Sequence, residues 1–387
     1  IDTVDDVLKE NNEGFSVAVT NVVDGSNNSV FENLNLSAAS VETTILDNED
    51  AVQVDSIARL RDGREDGNAD EDHWPGWTLN VNNAADTPTT LTLRFDPEQQ
   101  ATLGEDFTGK LHIYTGADND PQSVTVTDIS QPVIWDLPAG TQNVQVFVEP
   151  MDDALYESSE NLILNAKVDS ANADWVVSET VYLTDDESAP VVDTLTPDST
   201  TVAEEDNTNL SWTLSLNNAS ATATTLLLDI SNPGQTGNFT ADTNGTFTLY
   251  SADGTQELDT VNVSTAVNGI VKVDIPPGHK TVNIKTTLNN DNVYEGTETF
   301  SLKAAVDGTD PGIAADAISV TDEADIPMVS TVSDTTIDEG EHAEVTITLT
   351  HPSTTVTNVT IDALSDTADE TTDLVGGGAT VWVNFDD

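Results

Sequence analysis

The feature that most constrains this chain is a short acidic pattern that occurs three times in its 387 residues. In each copy an Asp is followed after three residues by a Glu and after two more by a second Glu, and an alternating apolar run then begins. The segments are "DDVLKENNEGFSV" from Asp5, "DDALYESSENLIL" from Asp152 and "NDNVYEGTETFSL" from Asn290. A pattern that returns at long, similar intervals predicts a tandem array of one structural unit.

Other segments repeat in the same order along the chain. "DLPAGTQNVQVFV" matches "DIPPGHKTVNIKT", and "TTVAEEDNTNLSWTLSL" matches "TTIDEGEHAEVTITLTH". The first and last parts of the chain match only opposite halves of the repeat, so we expect each to be half of a split β-sandwich with an open sheet edge. The predicted segments are 1–50 (C-terminal half), 51–189 (complete), 190–326 (complete) and 327–387 (N-terminal half).

The apolar runs have a period of two residues, which is typical of half-buried strands. In "ETFSLKA" this period places Phe300, Leu302 and Ala304 on one face, and "TVWVNF" near residue 380 alternates in the same way. Turn residues separate many short runs that are rich in Thr and Val. The pattern predicts an all-β chain of antiparallel β-sandwiches.

The charge balance limits the classes of partner. Asp and Glu number 70 against 11 Lys and Arg, so the formal net charge is −59. Nucleic acid and anionic membranes are therefore not expected as partners, because little in the chain neutralises phosphates. No apolar run is long enough to span a membrane, so membrane insertion is not expected. Either salt that screens the carboxylates or bound cations would offset their repulsion.

No pattern of residues indicates catalysis. The five histidines are scattered without catalytic spacing, and the chain has no cysteine and no phosphate-binding loop. We therefore expect that the protein is not an enzyme. Trp77 aligns with Trp212 and is expected in a core, whereas Trp74, beside Pro75, is a candidate for a surface role.

The segment "NDNVYEGTETF" resembles the signature of Calx-beta domains, and the heads of the repeats resemble the first strand of that family. The tandem arrangement and the acidity resemble the extender repeats of RTX-type bacterial adhesins. The resemblance implies tandem immunoglobulin-like sandwiches in an elongated array, calcium at one end of each sandwich, and an extracellular location at a bacterial cell surface.

The resemblance also implies the calcium ligands. In the family an early-strand Glu, the acidic loop and the final Asp cluster converge, and calcium prefers such oxygen ligands. The implied ligands are Glu71, Asp153, Glu157, Glu160 and Asp185 in 51–189; Glu204, Asp291, Glu295, Glu298 and Asp322 in 190–326; and Asp6, Glu10, Glu13, Asp47 and Glu339 in the split copy.

Several alternatives remain open for these residues. Glu71 aligns with a slip of about two positions from the head Glu of the other repeats. One alternative is that any single acidic loop is only a solvated turn. Another concerns Glu13, Glu160 and Glu298, which border the strand and would then only cap it or protect its edge. The acidic clusters at the repeat boundaries either clamp calcium at the junctions or serve as hydrophilic linkers.

The leading functional hypothesis is a calcium-rigidified stalk or extender segment of an adhesin or surface fibre. Its partners would be adjacent repeats or neighbouring copies, end to end, with a cell-surface glycan or protein bound through another region. One alternative is a filament subunit whose terminal half-domains complete each other between chains by β-strand addition. Another is a module that binds glycan or peptide.

Overall fold

A computed structural model describes residues 1–28, 35–37, 39–66, 71–116, 121–169, 173–204, 208–231, 234–308, 310–333 and 335–361. The expected strand "TVWVNF" lies outside the described residues. The chain divides into two compact units, residues 1–187 and 188–387, which are taken in turn below.

Residues 1–50 contribute only a small amount of structure to the first unit. Their strands are β1 (Leu8–Lys9), β2 (Glu13–Ala18) and β3 (Ser40–Ile45). Strands β2 and β3 form an antiparallel hairpin, in which Glu13 lies opposite Ile45 and Ala18 lies opposite Ser40. None of the described hydrophobic residues in this segment is buried, so the hairpin has no core of its own.

The rest of the first unit is a β-sandwich. Its strands are β4 (Val54–Arg61), β5 (Gly63–Glu65), β6 (Gly76–Val81), β7 (Ala84–Ala85), β8 (Thr89–Phe95), β9 (Phe107–Tyr114), β10 (Gln122–Thr125), β11 (Val133–Leu137), β12 (Asn143–Pro150), β13 (Leu155–Tyr156), β14 (Glu160–Leu162), β15 (Leu164–Val168), β16 (Val176–Val177) and β17 (Val181–Asp185), with a 3-10 turn at Glu71–His73. The sheets have the strand orders β10-β9-β12-β6-β4, β11-β8-β15-β16 and β14-β17-β5.

The second unit repeats this topology. Its strands are β18 (Val192–Pro197), β19 (Thr201–Ala203), β20 (Asn209–Leu216), β21 (Ala219–Ser220), β22 (Thr224–Asp229), β23 (Thr246–Ser251), β24 (Glu257–Asn262), β25 (Ile270–Ile275), β26 (Thr281–Thr287), β27 (Thr297–Phe300), β28 (Lys303–Val306), β29 (Ile313–Ala314), β30 (Ile318–Thr321), β31 (Val329–Val332) and β32 (Ile347–Leu349), with a 3-10 turn at Val263–Thr265. The orders β18-β20-β26-β23-β24, β25-β22-β28-β29 and β19-β30-β27 match those of the first unit strand by strand, and β31 pairs with β32.

The prediction of tandem immunoglobulin-like β-sandwiches is thus confirmed. In the described ranges the helical elements are two short 3-10 turns, and no helix there has the length and apolarity to cross a bilayer. Each sandwich encloses one core to which both large sheets contribute. The boundary expected after residue 189 falls two residues from the division between the units.

The core residues follow the predicted alternation. Phe300, Leu302 and Ala304 are fully buried, as expected from their period of two. Trp77 and Trp212 are also fully buried, and they pair with Val146 and Ile284 at equivalent positions of β12 and β26. Both tryptophans are therefore core residues, as the alignment predicted.

The surface role expected for Trp74 is wrong. Its side chain is only 5% exposed, and its ring lies 4.5 Å from the ring of His112 between centroids. The backbone carbonyl of Trp74 accepts a hydrogen bond of 2.8 Å from Arg61 Nε. Trp74 lies in the segment that links β5 to β6, where it packs against His112 and its carbonyl is held by Arg61.

Replacing Phe300 by Ala tests this account of the core. The Phe300 ring contacts that of Phe239 edge to face, with centroids 5.1 Å apart. Its removal leaves a cavity, so we expect Phe300→Ala to lower the free energy of unfolding by about 3–5 kcal/mol. Scanning calorimetry of the full chain measures this change. The control Val267→Ala removes an exposed side chain and should change stability by less than about 0.5 kcal/mol. Equal effects of the two substitutions would contradict the assignment.

Candidate metal centres

A parallel strand pair positions the head Glu of each sandwich. In the second unit β19 runs parallel to β30, and the amide of Glu204, just after β19, donates a 2.9 Å hydrogen bond to the carbonyl of Thr321. In the first unit β5 runs parallel to β17, which places Glu65 opposite Asp185. Glu65 and Glu204 thus have equivalent places in their repeats. Glu65 lies beside Asp185 and Glu204 beside Asp322, each at the end of the final strand.

Glu71 does not have this position. It lies in the 3-10 turn Glu71–His73, on the segment between β5 and β6. That segment spans residues 66–75, whereas only 205–208 separate Glu204 from β20. Trp77, which matches Trp212, lies downstream of this length difference. Counting back from Trp77 therefore predicts Glu71 as the head Glu, a residue too far along the chain.

In the second unit the cluster brings the predicted residues together. Carboxylate oxygens of Asp242, Glu295 and Glu298 all lie within 4.8 Å of one another. Burial raises the pKa of Glu204 to about 7, and the neighbouring carboxylates of Asp322, Glu295, Asp291 and Asp242 add to the shift. Glu295 and Glu298, two of the five ligands predicted for this repeat, therefore lie together with Asp242, and the charges of Asp291 and Asp322 act on Glu204.

Two glutamates of this cluster are perturbed in the same direction. Burial raises the pKa of Glu298 to about 8, and the carboxylates of Asp242, Glu295 and Glu204 contribute further. Burial also raises the pKa of Glu295, with the carboxylate of Asp242 as the next cause. The carboxylate of Glu298 thus lies beside those of Asp242 and Glu295.

The first unit contains the equivalent cluster. Carboxylate oxygens of Glu65, Asp106 and Glu157 lie within 4.8 Å of one another. Burial raises the pKa of Glu65 to about 8, of Glu157 to about 7 and of Glu160 to about 8, and the carboxylate of Asp106 adds to each shift. The carboxylate of Asp185 also contributes to the shift of Glu65.

Asp106 and Asp242 are members of these clusters that the sequence analysis did not identify. Their carboxylates accept hydrogen bonds from the backbone amides of Thr102 and Asn238, four residues earlier in each case. Both residues lie in segments, "GEDFTG" and "TGNFTADTNG", that occur once in each complete repeat. The presence of an Asp in both of these segments was the sequence signal that could have identified the two residues.

The first Asp of the repeated pattern has a local structural role. The side chains of Asp6, Asp153 and Asp291 each accept a hydrogen bond of 2.7–2.9 Å from the amide two residues later. This interaction fixes the turn of the acidic loop in all three copies. The Asp at the end of each final strand has a further role. Oδ2 of Asp185 accepts a 2.8 Å hydrogen bond from the amide of Glu157, and Oδ2 of Asp322 accepts one of 2.9 Å from the amide of Glu295.

A second acidic cluster lies at the end of the first unit. Carboxylate oxygens of Asp185, Asp186 and Glu187 lie within 4.8 Å of one another. Burial raises the pKa of Glu187 to about 7, and a hydrogen bond with Asp185 and the charge of Asp186 are smaller causes of the same shift. Asp185 therefore lies in this cluster, and its charge also raises the pKa of Glu65 in the other one.

The split copy differs from the complete ones. Partial burial raises the pKa of Glu10, and the carboxylates of Asp6, Glu13 and Asp86 raise it further. Asp47 instead contacts the ammonium group of Lys9. Glu339 is exposed and belongs to the second unit, whereas residues 1–50 belong to the first.

The donor set of the two complete clusters fits a hard divalent cation. Every identified ligand atom is a carboxylate oxygen, which suits calcium rather than a soft metal. The buried Oε2 atom of Glu160 has no hydrogen-bond partner among the described residues. Ionised carboxylates that are buried against each other destabilise the folded state unless they are protonated or bind a cation.

Comparisons with known proteins give no family assignment. No family model matches the chain, and no curated protein matches it. Among solved structures, calcium binding domain CBD12 of CALX1.1 is 8% identical with a TM-score of 0.23, over 66% of this chain and 83% of that one. The D00-D0 domain of intimin is 10% identical with a TM-score of 0.21, over 70% and 100%.

A further solved structure is the collagen adhesin (CNA) from S. aureus, at 12% identity and a TM-score of 0.19, over 70% of this chain and 93% of that one. At such scores these likenesses carry no argument about the sites. The fold assignment comes from the strand pairing of the chain itself.

The raised pKa values predict an unusual dependence of stability on pH. In the folded chain burial raises the pKa of Glu65 and of Glu298 from the usual glutamate value of 4.5 to about 8. The folded state thus binds more protons between these two values, and its stability decreases as pH rises through this window. In chelator we expect the melting temperature to fall from about pH 5 to about pH 8, as measured by scanning calorimetry.

The double variant Glu65→Gln with Glu298→Gln serves as the control for this prediction. Glutamine is neutral at every pH, so the slope in chelator should become flatter. Saturating calcium should flatten the slope of the unsubstituted chain as well, because the cation replaces the protons. A melting temperature that rises across the same window in chelator would contradict the raised pKa values.

Proposed function

We propose that this chain is a calcium-rigidified structural segment, a stalk or extender, of an extracellular adhesin or surface fibre. The observation that carries the proposal is that the loop holding the carboxylate cluster is also hydrogen-bonded to the segment that follows the sandwich. Cation binding and the fixing of one segment against the next therefore involve the same few residues.

The junction after the second sandwich gives the geometry. Tyr294 lies in the acidic loop, directly before Glu295, and forms a parallel bridge with Ser353. Its amide donates to the carbonyl of Pro352 at 3.0 Å, and its carbonyl accepts the amide of Thr354 at 3.0 Å. A cation that fixes Glu295 therefore also restrains the backbone that contacts the next segment.

The junction before the first sandwich is built in the same way. Leu8 and Lys9 of the acidic loop run parallel to Ala84 and Ala85 of β7. The amide of Asp86 donates a 3.1 Å hydrogen bond to the carbonyl of Lys9. The same loop thus contacts the following segment in two copies, which supports a role in joining repeats.

Asparagine side chains attach each linker to the sandwich that follows it. The amide oxygen of Asn82 accepts from the amide of Gln53 at 2.8 Å, and its Nδ2 donates to the carbonyl of Ala51 at 3.1 Å. Asn217 makes the equivalent bonds with Val191 at 2.7 Å and with Ala189 at 3.3 Å. These bonds restrain the linker backbone where it enters the next sandwich. The rigidity of a junction would then depend on the acidic loop at its other side.

We propose no catalytic activity for this chain. Three of the described histidines have contacts that suit a structural protein: the His112 ring packs against the Trp74 ring at a tilt of 53°, and His73 and His351 lie near the carboxylates of Asp66 and Asp325. These contacts join neighbouring segments of the fold.

Thermal melts with and without calcium test the proposal. We expect calcium to raise the melting temperature, because a cation at a hundred times its dissociation constant adds about 2.7 kcal/mol for each site. Magnesium and sodium at matched ionic strength control for general screening of the charge of −59. Equal stability in calcium and in chelator would contradict the proposal.

Substitutions locate the effect within the clusters. Asp242→Asn and Glu204→Gln should each remove most of the stabilisation of the second unit by calcium, since each removes a charged ligand. The matched control is Asp193→Asn, which removes an exposed acid on β18 outside the cluster. Calcium titration calorimetry on the same variants measures the lost affinity.

A second candidate function is assembly through the terminal segments. Phe15 on β2 has the register position that Phe300 has on β27, since Glu13 lies opposite Ile45 as Glu298 lies opposite Val320. Phe300 is fully buried, whereas Phe15 is half-buried. We propose that strands of a second copy cover this face by β-strand addition, which would give head-to-tail filaments.

Sedimentation velocity over a range of concentrations tests assembly. We expect association that increases with concentration and decreases in the variant Val17→Lys with Val41→Lys. Val17 and Val41 face each other across the hairpin and are 39% and 59% exposed. The control is Val267→Lys, an exposed position away from the hairpin. A chain that stays monomeric at every concentration would exclude this second function.

A further inference from the structure

One copy of the acidic loop carries a positive charge of its own. Lys9 stands where the other two copies have Tyr156 and Tyr294, directly before the first Glu of the pattern. Its ammonium group donates hydrogen bonds to Oδ2 of Asp47 and, at 3.1 Å, to the carbonyl of Glu10. The side chain of Asp47 is only 4% exposed and that of Lys9 is 30% exposed, so this ion pair is largely withdrawn from water.

The equivalent aspartates of the complete repeats have different partners. Asp185 and Asp322 follow their final strands as Asp47 follows β3, and their Oδ2 atoms accept the amides of Glu157 and Glu295. Within the described ranges no Lys or Arg nitrogen lies within 4.0 Å of either carboxylate. The complete repeats thus hold these acids, of which Asp322 is buried and Asp185 half-buried, without a basic partner, whereas the split copy pairs its acid with a lysine.

The ammonium group of Lys9 can take over the role of a cation at this loop. It carries one positive charge and three donors, two of which are used by Asp47 and by the carbonyl of Glu10. Because it occupies Oδ2 of Asp47 and repels a second cation, it competes with a metal ion for the same oxygens. The carbonyl of Lys9 also accepts the amide of Asp86, so the residue that supplies the charge lies within the junction itself.

We propose that Lys9 is a built-in cation that replaces calcium at the first copy of the acidic loop. The junction of this loop with β7 is therefore held without metal, while the junction of Tyr294 with Ser353 depends on calcium. The second half of this statement rests on the proposed function. The chain then combines a permanent joint with a joint that responds to calcium.

Hydrogen exchange of the full chain, measured by mass spectrometry at short labelling times, tests the proposal. The reporters are the amides of Asp86 and Thr354, which donate to the carbonyls of Lys9 and Tyr294. In chelator the exchange of Thr354 should become faster by about tenfold, or about 1.4 kcal/mol. The exchange of Asp86 should stay the same in calcium and in chelator. An Asp86 amide that responds to chelator as Thr354 does would overturn the proposal.

Variants of Lys9 test the role of its charge. Lys9→Met keeps the apolar length of the side chain and should speed the exchange of Asp86 by about tenfold in chelator. Lys9→Arg keeps the charge and should preserve the slow exchange. Equal exchange in the Met and Arg variants would overturn the proposal. This comparison needs no calcium, so it remains decisive even if the complete repeats bind none and the proposed function fails.

The reverse substitution tests whether a lysine displaces the metal. Tyr294→Lys should lower the number of calcium ions bound per chain by at least one in titration calorimetry. It should also make the exchange of Thr354 insensitive to chelator. The control Tyr294→Phe keeps the ring without the charge and should bind calcium as the unsubstituted chain does. Unchanged calcium stoichiometry in a folded Tyr294→Lys chain would overturn the proposal.

Discussion

The structure depends on the parallel pairing of a short head strand with the final strand of each sandwich. In the second unit this pairing joins β19 to β30, and it ends where Glu204 lies beside the last Asp of the repeat. Strand pairing thus forces carboxylates from distant parts of the chain into one partly buried space. The cluster is a consequence of the fold, and protons or bound cations reduce the repulsion between carboxylates placed in this way.

Much of the fold could be predicted because it depends on local patterns. The alternation that buries Phe300 is visible in seven residues, and the repeated segments reveal the order of the strands. The cluster was harder to predict because its members meet through pairing over long distances. Asp106 and Asp242 were missed for this reason, since in a chain with 70 acids a single Asp carries little information. Glu71 was chosen over Glu65 because the intervening segment differs in length between the repeats.

The acidic loop has two roles, and the backbone geometry explains why they coincide. The first Asp of each copy fixes the turn through a hydrogen bond to the amide two residues later, as Asp291 does for Val293. That turn presents the next backbone groups, those of Tyr294, to the following segment. The carboxylate of Glu295, directly after Tyr294, meanwhile lies in the cluster with Asp242 and Glu298. One turn therefore determines both the position of this carboxylate and the position of the next segment.

The few basic residues of the chain offer little neutralisation to clusters of this kind. Several of the 11 pair with nearby acids at the surface, as Lys272 does with Asp307 at 2.6 Å. Such exposed pairs contribute about 0–1 kcal/mol and do not relieve the buried carboxylates. A divalent ion brings two charges and binds several oxygens at once, which one lysine cannot do for a group of five acids. Lys9 pairs with one carboxylate, that of Asp47, so the proposed replacement of calcium is confined to this copy of the loop.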